Sequence, residues 1–147
     1  MKVIVLFLLV GIILSYTPNK AVSYAKSYCR DYNPKYNNYN YKGGDCANFV
    51  SQCMTAGGQK FDGCKGKDDK GMIPKDGDLK SCLMSKGWKF STTKPPKFKA
   101  GYPIFEKSFG RAAIATGVDG KTIIYCDHYG DVCDGKLLAS YFNYLYL

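Results

Sequence analysis

Between Gly43 and Gly58 the chain reads Gly43-Gly44-Asp45-Cys46-Ala47-Asn48-Phe49-Val50-Ser51-Gln52-Cys53-Met54-Thr55-Ala56-Gly57-Gly58, and this stretch specifies a loop, a cap, a helix and a stop. Asp45 is a favoured N-cap residue, because its carboxylate can accept the orphan N–H groups of a first turn. Gly57-Gly58 supplies the left-handed exit that helix ends favour. The spacing predicts a helix opening at Cys46. Cys46, Phe49, Val50, Cys53 and Met54 fall on one apolar face, with Asn48, Ser51, Gln52 and Thr55 off it. A thiol at the positive end of a helix is favoured as thiolate, which makes Cys46 a candidate nucleophile. Position alone favours the plainer reading of a small buried residue, since free cysteine is among the most buried residue types.

The compartment follows from the start of the chain. After Met1-Lys2, Val3 to Leu14 is an unbroken apolar run, the length of a secretory leader and too short to cross a bilayer. Residues 1–16 are therefore expected to be a signal peptide and residues 17–147 one secreted or lumenal domain. No second apolar run suggests an integral membrane protein. All seven cysteines lie in that domain. An oxidising compartment favours pairing, and an odd count leaves at least one thiol; three disulfides with Cys46 spared would agree with a nucleophilic role. The net charge of +9 predicts attraction to anionic surfaces such as bacterial walls, anionic lipid or acidic glycans. The lysines are dispersed and no nucleic-acid motif organises them, so nucleic acid is not an expected partner. A monomer is expected.

Along the chain, Thr17-Pro18 opens a first predicted helix that Asn33-Pro34 ends. The segment from Tyr32 to Lys42, rich in Tyr and Asn, reads as a loop whose phenols either cover the core or line a groove; Tyr41 is the candidate there for substrate contact. Residues 59–99 form a lysine- and glycine-rich insert, expected to be constrained by a Cys64 to Cys82 disulfide and to hold a short helix within Leu79 to Trp88, Leu79, Leu83 and Met84 on one face. Its aspartates lack the spacing of a calcium loop. Tyr102 to Phe105, Ala112 to Gly117 and Thr122 to His128 read as strands. An Asp119-Gly120 type I′ turn joins the last two and sets paired residue numbers to sum to 239. That register places Arg111 opposite His128, on the face of Ala113, Ala115, Ile124 and Cys126.

Asn33-Pro34-Lys35-Tyr36, Gly44 to Cys53 and Ala56-Gly57-Gly58 resemble the opening motif of the putative amidase domain family. That family is a branch of the papain-like cysteine hydrolases that include bacterial cell-wall endopeptidases and amidases. The resemblance covers residues 19–58 and again 100–131, with nothing recognisable between. It implies an α+β, papain-like amidase fold, N-terminal helices packed on a small antiparallel sheet, here braced by disulfides. It also implies a nucleophilic Cys46, a partner histidine starting one strand and a second polar residue ending the next. Arg111 stands where the first histidine is expected. Tyr125-Cys126-Asp127-His128-Tyr129-Gly130-Asp131 resembles the segment that supplies the later one.

Arginine cannot take a thiol proton and return it to a departing amine, whereas imidazole does both. The resemblance thus leads to a secreted hydrolase of amide bonds in cell-wall peptides, with Cys46 as nucleophile, His128 as base, and Asp127 or Asp131 orienting it. Arg111, Tyr41 and Asp45 are the expected substrate-binding residues. The alternative is an inactive binding protein on the same scaffold, recognising wall peptide or glycan. No metal-ligand spacing, phosphate-cradling loop or cofactor motif is present.

Overall fold

The computed structural model describes residues 15–147; the apolar leader lies outside the described residues. Three α-helices, α1 (Pro18–Tyr28), α2 (Cys46–Ala56) and α3 (Asp76–Ser85), precede a six-stranded antiparallel sheet. The strands are β1 (Lys89–Ser91), β2 (Pro103–Glu106), β3 (Ala112–Asp119), β4 (Thr122–Asp127), β5 (Val132–Leu138) and β6 (Phe142–Tyr146). Their spatial order is β1-β6-β2-β3-β4-β5. This is the expected α+β class. No helix among the described residues is long and apolar enough to cross a membrane.

Helix α2 forms over the predicted residues, but it is buried on every side. Asn48, Ser51 and Gln52, expected off the core face, are at most 3% exposed. Each is met by a covering segment, although Asn48 Oδ1 is buried without a partner among the described residues: Asn48 Nδ2 donates to the Asn37 carbonyl, Ser51 Oγ to that of Ile73, and Gln52 Oε1 accepts the Tyr24 hydroxyl. Buried polar groups of this kind are tolerated because they are hydrogen-bonded. The segment 59–99 is also better packed than its composition suggests, contributing Phe61, Met72, Ile73, Leu79, Leu83, Trp88 and Phe98 to the buried set. Its helix begins at Asp76, three residues earlier than expected, and Met84 is exposed.

The packed domain reaches back to Tyr16. Its hydroxyl donates to the Gly101 carbonyl at 2.6 Å and its ring meets the edge of Trp88. Gly101 has φ +90°, and a Cβ there would collide with the Pro18 backbone, so only glycine lets the chain pass so close to the start of α1. Two disulfides brace the whole: Cys64–Cys82, as expected, and Cys29–Cys133, which ties the end of α1 to β5. Cys46, Cys53 and Cys126 remain buried thiols, so the described residues hold two bridges rather than three.

The β3–β4 hairpin corrects the expected register. Asp119 pairs with Thr122, which puts the turn at Gly120-Lys121, and a bulge between Ala115 and Gly117 then brings Ile114 opposite Cys126. Bulges insert one residue and shift all that follows. The displaced turn shifts the pairing by two residues and the bulge takes one back, so near the open end the hairpin is one residue out from the predicted pairing, and a one-residue slip exchanges the faces of a strand. Arg111 is carried towards Tyr129 instead of His128, and its guanidinium lies 3.6 Å from the centre of the Tyr129 ring.

Candidate functional site

Cys46 occupies the first turn of α2, where the helix leaves unpaired N–H groups directed outward. It lines a cleft of about 550 Å³ together with Tyr39, Lys42, Asp76, Arg111 and Tyr129. Burial, then the carboxylates of Asp127 and Asp76, push the Cys46 thiol up to about 12, against the opposing pull of Arg111. The positive helix end does not overcome these effects, and the thiol is held neutral.

Asp45 is not the side-chain cap that its position suggests. Its carboxylate is fully buried and accepts no hydrogen bond from the helix N–H groups. Oδ1 accepts from the Tyr39 N–H at 2.9 Å and from Asn48 Nδ2 at 2.9 Å, while Oδ2 lies 2.5 Å from His128 Nδ1. The other ring nitrogen of His128, Nε2, is 2.7 Å from the Tyr28 carbonyl. A carbonyl only accepts, so Nε2 carries a proton and Nδ1 shares one with Asp45. The ring is held flat between Phe49 and Tyr32, with centroids 3.8 and 4.0 Å away. Both nitrogens of His128 are thus engaged away from Cys46, and among the described residues no hydrogen bond joins the two.

Asp131 is one residue further removed. It accepts the Tyr32 hydroxyl at 2.8 Å and so supports the aromatic lid over His128 without touching the imidazole. Asp127, at the end of β4, behaves differently. Burial raises its carboxyl to about 6, with the N–H groups of Tyr129 and Val132 and the charges of His128 and Arg111 holding it from going higher. Its charge is the largest electrostatic influence on Cys46 after burial itself. Arg111 is paired with Glu106, Nε to Oε2 at 3.2 Å, and stacked between Tyr129 and Phe109. Asp76, raised by burial, accepts the Ala112 N–H at 2.9 Å, pinning the start of α3 to the start of β3 beside the cleft.

The putative amidase domain family matches residues 15–105, more than half of the 147-residue chain. The chain belongs to this family. The match runs through the segment 59–99, which carries none of the motifs of the resemblance, and ends before Arg111 and His128. The putative amidase domain description points to amide-bond hydrolysis as the chemistry of the scaffold. No curated protein and no solved structure matches the chain.

Of the candidates named from the sequence, Cys46 and Arg111 share the cleft, while Asp127 lines neither hollow and acts on the thiol through its charge. Tyr41 is 95% exposed and lines an adjoining hollow, whereas Asp45 and His128 form a buried pair and Asp131 supports it. Asp76 was missed altogether. Its position at the opening of a helix, in a segment without recognisable likeness, carried no signal that it would meet β3.

Proposed function

We propose that the protein is a secreted, cysteine-dependent hydrolase of amide bonds in which Cys46 is the nucleophile and Asp127 the proton carrier. The observation that supports this reading is the placing of the Cys46 thiol in an open cleft, at the N-terminus of α2, with a carboxyl of pKa about 6 as its strongest electrostatic neighbour. A group that titrates near neutrality can both accept and return a proton. Asp127 takes the Cys46 proton as sulfur attacks the amide carbonyl, and the oxyanion is met by N–H groups of the opening turn of α2. Protonated Asp127 then gives its proton to the departing amine, leaving a thioester. Water, deprotonated by Asp127, releases the acid and restores the thiol. Arg111 tempers the negative charge around the sulfur, and His128 with Asp45 fixes the loop ahead of it. Peptides of the bacterial wall are the substrate class that the family resemblance favours.

A second reading is supported by the thiol itself: a pKa of about 12 suits a cleft that binds an amide ligand without cleaving it. Hydrolysis of a library of short peptides and wall fragments by wild type, Cys46→Ala, Asp127→Asn and Arg111→His separates the two. Turnover lost in Cys46→Ala and Asp127→Asn supports the hydrolase. Inert wild type with activity appearing in Arg111→His supports the binding protein.

A further inference from the structure

The cleft at Cys46 does not end at the thiol. A second hollow, of about 340 Å³, adjoins it and shares Gly43, Gly44 and Tyr129 as walls. Gly43 and Gly44 sit at φ +99° and +112°, and a Cβ on either would meet no atom within 4 Å. They form a bare saddle between the hollows where a side chain would stand in the groove. Tyr41, beyond the saddle, is 95% exposed, and Tyr129, beside it and with one face on Arg111, is 57% exposed, offering flat apolar surface with polar tips. A groove with two lobes, a low saddle and exposed rings suits an extended chain better than a compact small molecule.

Charge narrows the class of chain. Of the acidic groups around the thiol hollow, Glu106 pairs with Arg111, Asp76 accepts the Ala112 N–H, and Asp127, which lines neither hollow, accepts the Tyr129 N–H. Lys42 and Lys75 both line this hollow, both are exposed, and neither has a carboxylate partner within ion-pair distance among the described residues. Two uncompensated ammonium groups on one cleft favour an anionic ligand, and the overall charge of +9 favours its approach. On the reading of the cleft as the amide site, we propose that its ligand is a linear, carboxylate-bearing peptide. Lys42 and Lys75 hold its acidic side chains, and it passes over Gly43-Gly44 onto Tyr41 and Tyr129.

The test uses the full chain carrying Cys46→Ala, so that binding is read without turnover, and two dansyl-labelled hexapeptides of alternating alanine with glutamate or with glutamine. The glutamate peptide is expected to bind roughly tenfold more tightly at low salt, with the advantage shrinking as ionic strength rises. Lys42→Gln with Lys75→Gln should abolish the preference, and Tyr41→Ala should weaken both peptides alike. Equal affinity for the two peptides, absence of saturable binding by either, or a preference that survives the double lysine variant overturns the proposal. A wild-type protein that prefers the glutamate peptide yet cleaves neither it nor any member of the peptide and wall-fragment library upholds this inference while removing the hydrolase.

Discussion

Asp45 Oδ2 and His128 Nδ1 lie 2.5 Å apart with both side chains almost wholly withdrawn from solvent. The pair joins the loop before Cys46 to the end of β4, and through Nε2 to the last turn of α1. Removing one partner of a buried pair strands the other, a loss of about 3–5 kcal/mol. His128→Ala is therefore expected to lower the urea midpoint steeply, because Asp45 and the Tyr28 carbonyl both lose their partner. An Asp45→Asn variant, which keeps a hydrogen-bonding group of the same shape, should lose less. A His128→Ala protein of wild-type stability, with only turnover altered, would instead return the imidazole to the role of base.

Asp127 makes a prediction of the opposite sign. Its carboxyl is raised from 3.8 to about 6, so the folded state binds a proton that the unfolded chain releases. The associated stability is present in full below about pH 4 and is lost as pH rises through 6, amounting to at most about 3 kcal/mol. Asp127→Asn cannot ionise. It should be more stable than wild type at pH 8 and equal to it near pH 4, by urea unfolding at both values. If Asp127 carries the proton, kcat/KM should rise with pH through an inflection near 6, and this limb should vanish in the variant.

The thiol itself reports on the same charges. With its pKa at about 12, Cys46 in the native protein should react with iodoacetamide more slowly at pH 7.5 than an ordinary thiol of pKa about 8.5. Asp127→Asn removes the carboxylate that most disfavours the thiolate and should accelerate alkylation. Arg111→Ala removes the opposing cation and should slow it. Fast alkylation of wild type at neutral pH, unchanged in both variants, would show that neither group governs the sulfur.

The extent to which this arrangement was legible follows from how local each signal is. Helix α2 was readable to the residue because its loop, cap position and exit are contiguous in sequence, and Cys64–Cys82 because a short polar segment leaves few ways to order itself. The burial of Asn48, Ser51 and Gln52 was not readable, since the segments that cover them come from residues 24, 37 and 73. The decisive miss was the turn between β3 and β4. Its place at Gly120-Lys121 shifts the pairing by two residues, the bulge in β3 takes one of them back, and Arg111 comes to Tyr129 instead of His128; no local pattern in Ala115-Thr116-Gly117 announces the bulge. Strands β1, β5 and β6 escaped notice for a related reason. Lys89–Ser91 and Val132–Leu138 lie at the two edges of the sheet, and their mixed composition lacks the alternation that marks a half-buried strand.

The two disulfides give a final, quantitative test of how the domain is held. Cys29–Cys133 closes 104 residues and Cys64–Cys82 only 18. If a bridge acts mainly by restricting the unfolded chain, the longer loop is worth about 4.7 kcal/mol and the shorter about 3 kcal/mol. Replacing Cys29 and Cys133 together by serine should thus cost more stability than replacing Cys64 and Cys82. It should also loosen the site, because α1 supplies the Tyr28 carbonyl that holds His128 Nε2. The Cys64–Cys82 bridge lies away from the cleft, so its loss should leave the Cys46 alkylation rate unchanged. Paired urea unfolding and alkylation of the two double variants check both halves of the statement. Equal losses of stability would show that native-state contacts, not loop closure, set the contribution of each bridge.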